Sequence, residues 1–90
     1  MLFMAISTYP PERRNEIVKR RSERGITTPE GLKLIKQWVD LSGGRVFTVA
    51  EANDDAALLA WSFSYSDLSS IELVPIMESE DVMKLIQRSS

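Results

Sequence analysis

Residues 38–50 read Trp38-Val39-Asp40-Leu41-Ser42-Gly43-Gly44-Arg45-Val46-Phe47-Thr48-Val49-Ala50. Adjacent glycines between apolar, β-branched runs are a hairpin signal, because glycine accepts the positive φ that tight hairpin turns demand. The segment predicts two antiparallel strands, within residues 32–41 and 46–50, joined through Ser42-Gly43-Gly44-Arg45. Loop length decides which side chains share a face, since a one-residue slip moves every side chain to the other side. A two-residue Gly-Gly turn sets Trp38 with Phe47 and Val49, and Lys36 opposite Glu51. A three-residue loop sets Val39 and Leu41 with Phe47 and Val49, and leaves Trp38 beside Thr48. The three-residue loop gives the cleaner apolar face and is preferred on that ground.

Moving outward, each side of the hairpin carries a helix signal. On the N-terminal side, Pro10-Pro11 opens a helix and Glu12 suits its dipole. The helix is expected to run to about Arg24, with Gly25 as a left-handed stop. Its apolar content is thin, only Ile17 and Val18, so it lies on a sheet by a narrow stripe. Arg13, Arg20 and Arg24 share the side of Ile17 and are expected to lay their stems along it. Thr27-Thr28-Pro29-Glu30-Gly31 reads as a loop. On the C-terminal side, Asn53 is a good N-cap and Asp54-Asp55 complement a helix N-terminus. That helix, residues 54–66, is apolar over a broad arc formed by Leu58, Trp61, Tyr65, Leu59 and Phe63.

Two further strands flank these helices. Residues 2–7 are apolar on both alternating sets, the pattern of a central strand covered on both faces. Residues 71–77 form the fourth strand, and Pro75 places it, or that end of it, on an edge. Ser79, Glu80 and Asp81 then start a final helix whose expected buried side is Val82, Met83, Leu85 and Ile86. The order β-α-β-β-α-β plus a C-terminal helix is an α+β, ferredoxin-like βαββαβ arrangement in one domain spanning residues 1–90. Helices on one side of the sheet leave its other apolar side to be covered by a second copy of the chain.

Several of these segments carry a resemblance. Met1-Leu2-Phe3-Met4, Trp38-Val39-Asp40, Phe47-Thr48-Val49-Ala50-Glu51, Asp54-Asp55 with Leu58, Leu59 and Trp61, Ser66-Asp67-Leu68, and Glu72-Leu73-Val74-Pro75-Ile76 together resemble domain-of-unknown-function family 3303, within the dimeric α/β-barrel superfamily. The resemblance spans nearly the whole chain and implies a dimer of sheets closed into a barrel. Its motifs are of the packing type, and it brings no active-site residues with it. The superfamily includes cofactor-independent monooxygenases, lactone isomerases and haem-degrading oxygenases. The last rely on a histidine ligand, and this chain has none.

Composition narrows the chemistry. The chain has 90 residues, no cysteine and no histidine. Disulfides, thiolate catalysis and zinc–sulfur sites are excluded, and so are the commonest general base and haem ligand. No metal and no cofactor are expected. The apolar segment at residues 1–8 lacks the basic flank of a signal peptide and the ~20 apolar residues of a membrane span. No membrane partner is expected, and the default compartment is cytoplasmic. Residues 1–50 carry nine Lys/Arg against five Asp/Glu, whereas residues 51–90 carry two against eight. Six of the eleven basic residues lie between Arg13 and Arg24. That cluster reads as a solvated helix face rather than a nucleic-acid stripe, because the chain as a whole is acidic and repels polyanions.

The candidate pocket residues are Trp38, Phe47, Glu51, Trp61 and Tyr65. Glu51, at a strand end near Lys36 and Asp40, could become a general base if burial raised its pKa. The simpler expectation is that it pairs with Lys36 or Arg45, or caps the helix at Asn53. Trp61 and Tyr65 are expected in the core, or lining a ligand cavity between helices and sheet. Ser62, Ser64 and Ser66 have no base to activate them and read as the polar side of a helix. No catalytic residue is assigned. The favoured function is a non-catalytic small-molecule-binding or accessory homodimeric domain, with a small apolar ligand. The alternative is a cofactor-independent oxygenase or isomerase acting on a small apolar or aromatic substrate.

Overall fold

A computed structural model of the chain describes residues 1–25 and 28–89. The elements are β1 (Leu2–Thr8), a 3₁₀ turn (Pro11–Arg13), α1 (Arg14–Arg24), β2 (Leu32–Val39), β3 (Arg45–Ala52), α2 (Asp55–Phe63), β4 (Ser70–Pro75) and α3 (Ser79–Ser89). The fold is α+β, with one four-stranded sheet in the order β2-β3-β1-β4 and every neighbouring pair antiparallel. The strand apolar on both faces, β1, is interior. β4 is an edge strand, and Pro75, its last residue, has no ladder N–H to give up beyond that edge. Of the loop expected at residues 27–31, Thr27 lies outside the described residues.

Local signals account for the element ends. Gly25, at φ +66°, closes α1 by donating to the Arg21 carbonyl at 2.8 Å. The cap of α2 is Asp54, not the expected Asn53: the Asp54 carboxylate accepts the Ala57 N–H at 2.8 Å. The Asn53 N–H instead donates to the Gly31 carbonyl at 2.8 Å. That bond ties the residue to the start of β2 and shifts the cap by one. The helix also ends sooner than expected, at Phe63.

The hairpin departs from the preferred register. Asp40 N–H donates to the Arg45 carbonyl and Gly43 N–H to the Asp40 carbonyl, so the loop proper is the four residues 41–44. An even loop has the parity of the two-residue alternative, and Trp38 faces Phe47 across the strands. The Asp40 carboxylate stabilises the wider loop by accepting from Ser42 N and Oγ at 2.9 and 2.6 Å and from Arg45 Nε at 3.0 Å. Those bonds, from Ser42 first and then Arg45, hold the Asp40 carboxyl below its ordinary pKa. The ladder then shifts between Leu34 and Lys36, a β-bulge at Ile35. Lys36 therefore opposes Val49 rather than Glu51. Before the bulge, Leu32 and Leu34 point with Ala52 and Ala50. After it, Gln37 and Val39 take over that side.

One face of the sheet is the core. Phe3, Ala5, Ala50, Ala52, Leu32 and Ala57 are buried, with Leu58, Trp61, Ile71 and Leu73 packed against them. The four alanines allow α2 close to the sheet. Gly31, at φ +87°, belongs to the same approach, since a Cβ there would lie 3.3 Å from that of Ala57. The opposite face presents Met4 between Val49 and Val74, Ile6 beside Phe47, and Trp38. No element covers it among the described residues. The apolar side expected for α3 is uncovered as well. Val82, Met83, Leu85 and Ile86 are 37–55% exposed, because α3 leaves β4 without folding back on the sheet. The radius of gyration, 15.1 Å, exceeds the ~12 Å of a compact 90-residue chain.

Candidate functional site

A cavity of about 120 Å³ lies between α1, the end of α2 and the sheet. Its apolar walls include Ile17, Leu34, Val46, Trp61 and Ile71, and its polar lining includes Arg21, Arg24, Gln37 and Thr48. The alanines close one end of the helix–sheet interface.

A hydrogen-bonded relay crosses the wall. The Arg21 Nη2 group donates to Gln37 Oε1, and Gln37 Nε2 donates to Thr48 Oγ1 at 2.9 Å. Arginine has donors only, so the amide must turn its carbonyl to Arg21 and its NH₂ to Thr48. Thr48 is 1% exposed, and Gln37 and Thr48 are cross-strand partners on β2 and β3. Neighbouring Arg20 is employed differently. It makes a two-pronged contact with Asp67, 2.7 Å at each nitrogen, donates to the Ser64 carbonyl and stacks over Tyr65 at 5.5 Å. These contacts fasten α1 to the turn after α2 at the cavity rim.

The Arg20 hydrogen bonds lower the Asp67 pKa from an ordinary 3.8 to about 2. A carboxylate with a depressed folded pKa contributes stability that is complete above the unfolded value and lost as pH falls through the folded one. The denaturation midpoint of Asp67→Asn should therefore change less than that of the wild-type chain between about pH 4 and pH 2. The difference is expected to be small, because the carboxylate is 60% exposed and screened by water. Equal acid limbs for the two proteins would remove this contact from the account of stability.

The five residues singled out from sequence do not form one site. Trp61 and Tyr65 line the cavity. Trp38 and Phe47 pair on the opposite, open face of the sheet. Glu51 also faces away from the cavity, opposite Leu2 and Lys33, and is held by the Met1 amino group at 2.9 Å. Its expected partners are occupied elsewhere: Arg45 binds Asp40, and Lys36 lies 5.4 Å over the Trp38 ring. Arg21, Gln37 and Thr48 were not singled out. The available signal was position, since Arg21 stands one turn after Ile17, the residue by which α1 meets the sheet. Ser62, Ser64 and Ser66 bond the carbonyls of Leu59, Ala60 and Phe63.

Three of the six basic residues between Arg13 and Arg24 have partners within the chain, two of them carboxylates. Arg13 pairs with Glu16, Arg20 with Asp67, and Arg21 with Gln37. Duplex DNA and single-stranded RNA should therefore show no gel shift near physiological ionic strength. A tight shift that strengthens steeply as salt is lowered would establish a phosphate-binding face instead. Among the described residues no three His, Cys, Asp or Glu side chains gather where they could hold a metal ion, and no helix is long and apolar enough to cross a membrane.

No curated protein and no solved structure matches the chain. Residues 1–90 match the family described as Domain of unknown function (DUF3303), and the chain belongs to that family.

Proposed function

We propose that the chain is a single, non-catalytic, small-molecule-binding domain that works as a homodimer of ferredoxin-like units closed into a dimeric α/β barrel. The observation that carries the binding half is the cavity between α1, α2 and the sheet, with apolar walls and a few converging polar groups. Among the described residues lining it there is no carboxylate and no amine. That composition favours holding a ligand over abstracting a proton from it. The assembly half is supported by two apolar surfaces that one chain leaves open, the Met4–Val49–Val74 face and the α3 stripe. A second copy offers each of them a partner of matching chemistry.

The two tryptophans supply the test. Trp61 lines the cavity and Trp38 stands on the other side of the sheet. In an NMR screen of small aromatic and alicyclic compounds, hits should move the Trp61 indole N–H resonance and leave that of Trp38 in place. A screen in which no compound moves Trp61 would remove the binding reading.

A further inference from the structure

We propose that the cavity selects a small organic anion, a monocarboxylate with a flat apolar body, and that Arg21 and Thr48 read its charged end. The inference deepens the binding reading above and rests on it. Three observations converge. First, Arg21 is half-buried in the cavity wall and has no carboxylate partner among the described residues, whereas adjacent Arg20 has Asp67. A guanidinium drawn out of water without a counter-ion is costly, so a site that holds one favours an occupant bringing the negative charge.

Second, the direction of the relay leaves the Thr48 hydroxyl proton without a protein acceptor among the described residues. Arg21 donates to Gln37 and Gln37 donates to Thr48, so the Thr48 hydroxyl acts as acceptor in its one bond among the described residues. Its own proton is unspent, although the residue is 1% exposed and lines the cavity. The unspent groups are thus a buried O–H and the remaining N–H groups of Arg21, with exposed Arg24 nearby. An acceptor-only head satisfies such a set, and a carboxylate offers two oxygens with about four lone-pair sites. A neutral amide or alcohol would leave the Arg21 charge without a counter-ion.

Third, size and walls define the body. The volume is about 120 Å³, well below the ~300–1,000 Å³ of sites for drug-sized ligands. Ile17, Leu34, Val46, Ile71 and Trp61 line it, which suits one ring or a short branched chain. Inorganic phosphate would meet the cations but leave these walls bare.

Benzoate is the probe, with benzamide and toluene as isosteres without the charge and inorganic phosphate as the charge without the body. Followed at the Trp61 indole, benzoate should bind at least tenfold more tightly than benzamide or toluene, and its affinity should fall as chloride is raised. Phosphate should displace it weakly. Arg21→Met and Thr48→Val should each weaken benzoate about tenfold or more while leaving toluene unchanged. Toluene binding certifies the fold of each variant, and the ligand series on the wild-type chain stands without them. Equal affinity for benzoate, benzamide and toluene would overturn the anion inference and keep the binding reading. A panel in which none moves Trp61 would end both.

Discussion

Replacing Phe3 with alanine should destabilise the chain by about 3–5 kcal/mol, the usual loss on truncating a buried phenylalanine. Phe3 is 0% exposed and, with Thr48, is one of the two largest fully buried side chains. Four of the residues clustered with it are alanines, which cannot swing in to refill the space. The Trp61 ring meets it edge-on at a centroid separation of 5.8 Å and an angle of 62°. In a domain this small each kcal/mol moves the melting midpoint by roughly 4–8 °C. Phe3→Ala should therefore be largely unfolded at temperatures where the wild-type chain is folded. Leu41→Ala, at a fully exposed loop position, should be neutral in the same melting experiment. Near-wild-type stability of Phe3→Ala would mean that the core lies elsewhere.

The second large effect concerns assembly. Met4 sits mid-strand on the open face, opposite Val49 on one side and Val74 on the other. Aspartate there would place an unpaired charge at the centre of the proposed dimer seam. Dissociation should rise by at least roughly 30-fold, the ~2 kcal/mol of a hot-spot loss. Sedimentation should show a dimer for the wild-type chain and a monomer for Met4→Asp, whose strand content is retained because the helix-covered core is untouched. The wild-type melting midpoint should fall on dilution, as linked association and folding require. A wild-type chain that sediments as a monomer, with a dilution-independent midpoint, would remove the dimer and the barrel together.

The parts of the fold that follow period and punctuation could be read from the residues alone. Two apolar sets in residues 2–7 mark an interior strand, Pro75 marks an edge, and Gly25 marks the end of α1. Each signal depends on a few neighbouring residues, and each agrees with the packing around it. The hairpin face could not be read, for a definite reason. The register preferred on apolar content places Leu32 and Leu34 correctly, and the other alternative places Gln37 and Trp38 correctly. The bulge at Ile35 joins the two, and no glycine or proline marks it. The site was legible only at Trp61 and Tyr65. Arg21, Gln37 and Thr48 come from three different elements, and only their meeting in space makes a relay. The five basic residues of α1 look alike in sequence, but a carboxylate 47 positions from Arg20 separates its role from that of Arg21.

The uncovered last helix gives the chain a property that single-chain packing does not describe. An eleven-residue helix is shorter than the ~12–15 residues at which isolated helices become even marginally stable in water. Val82, Met83, Leu85 and Ile86 are 37–55% exposed, so a surface that took them up would add to the stability of residues 79–89. In the dimeric form proposed above, far-ultraviolet circular dichroism becomes a concentration gauge. Helical ellipticity fades on dilution while the strand signal persists, and the tail passes between coil and helix as the protein's abundance changes.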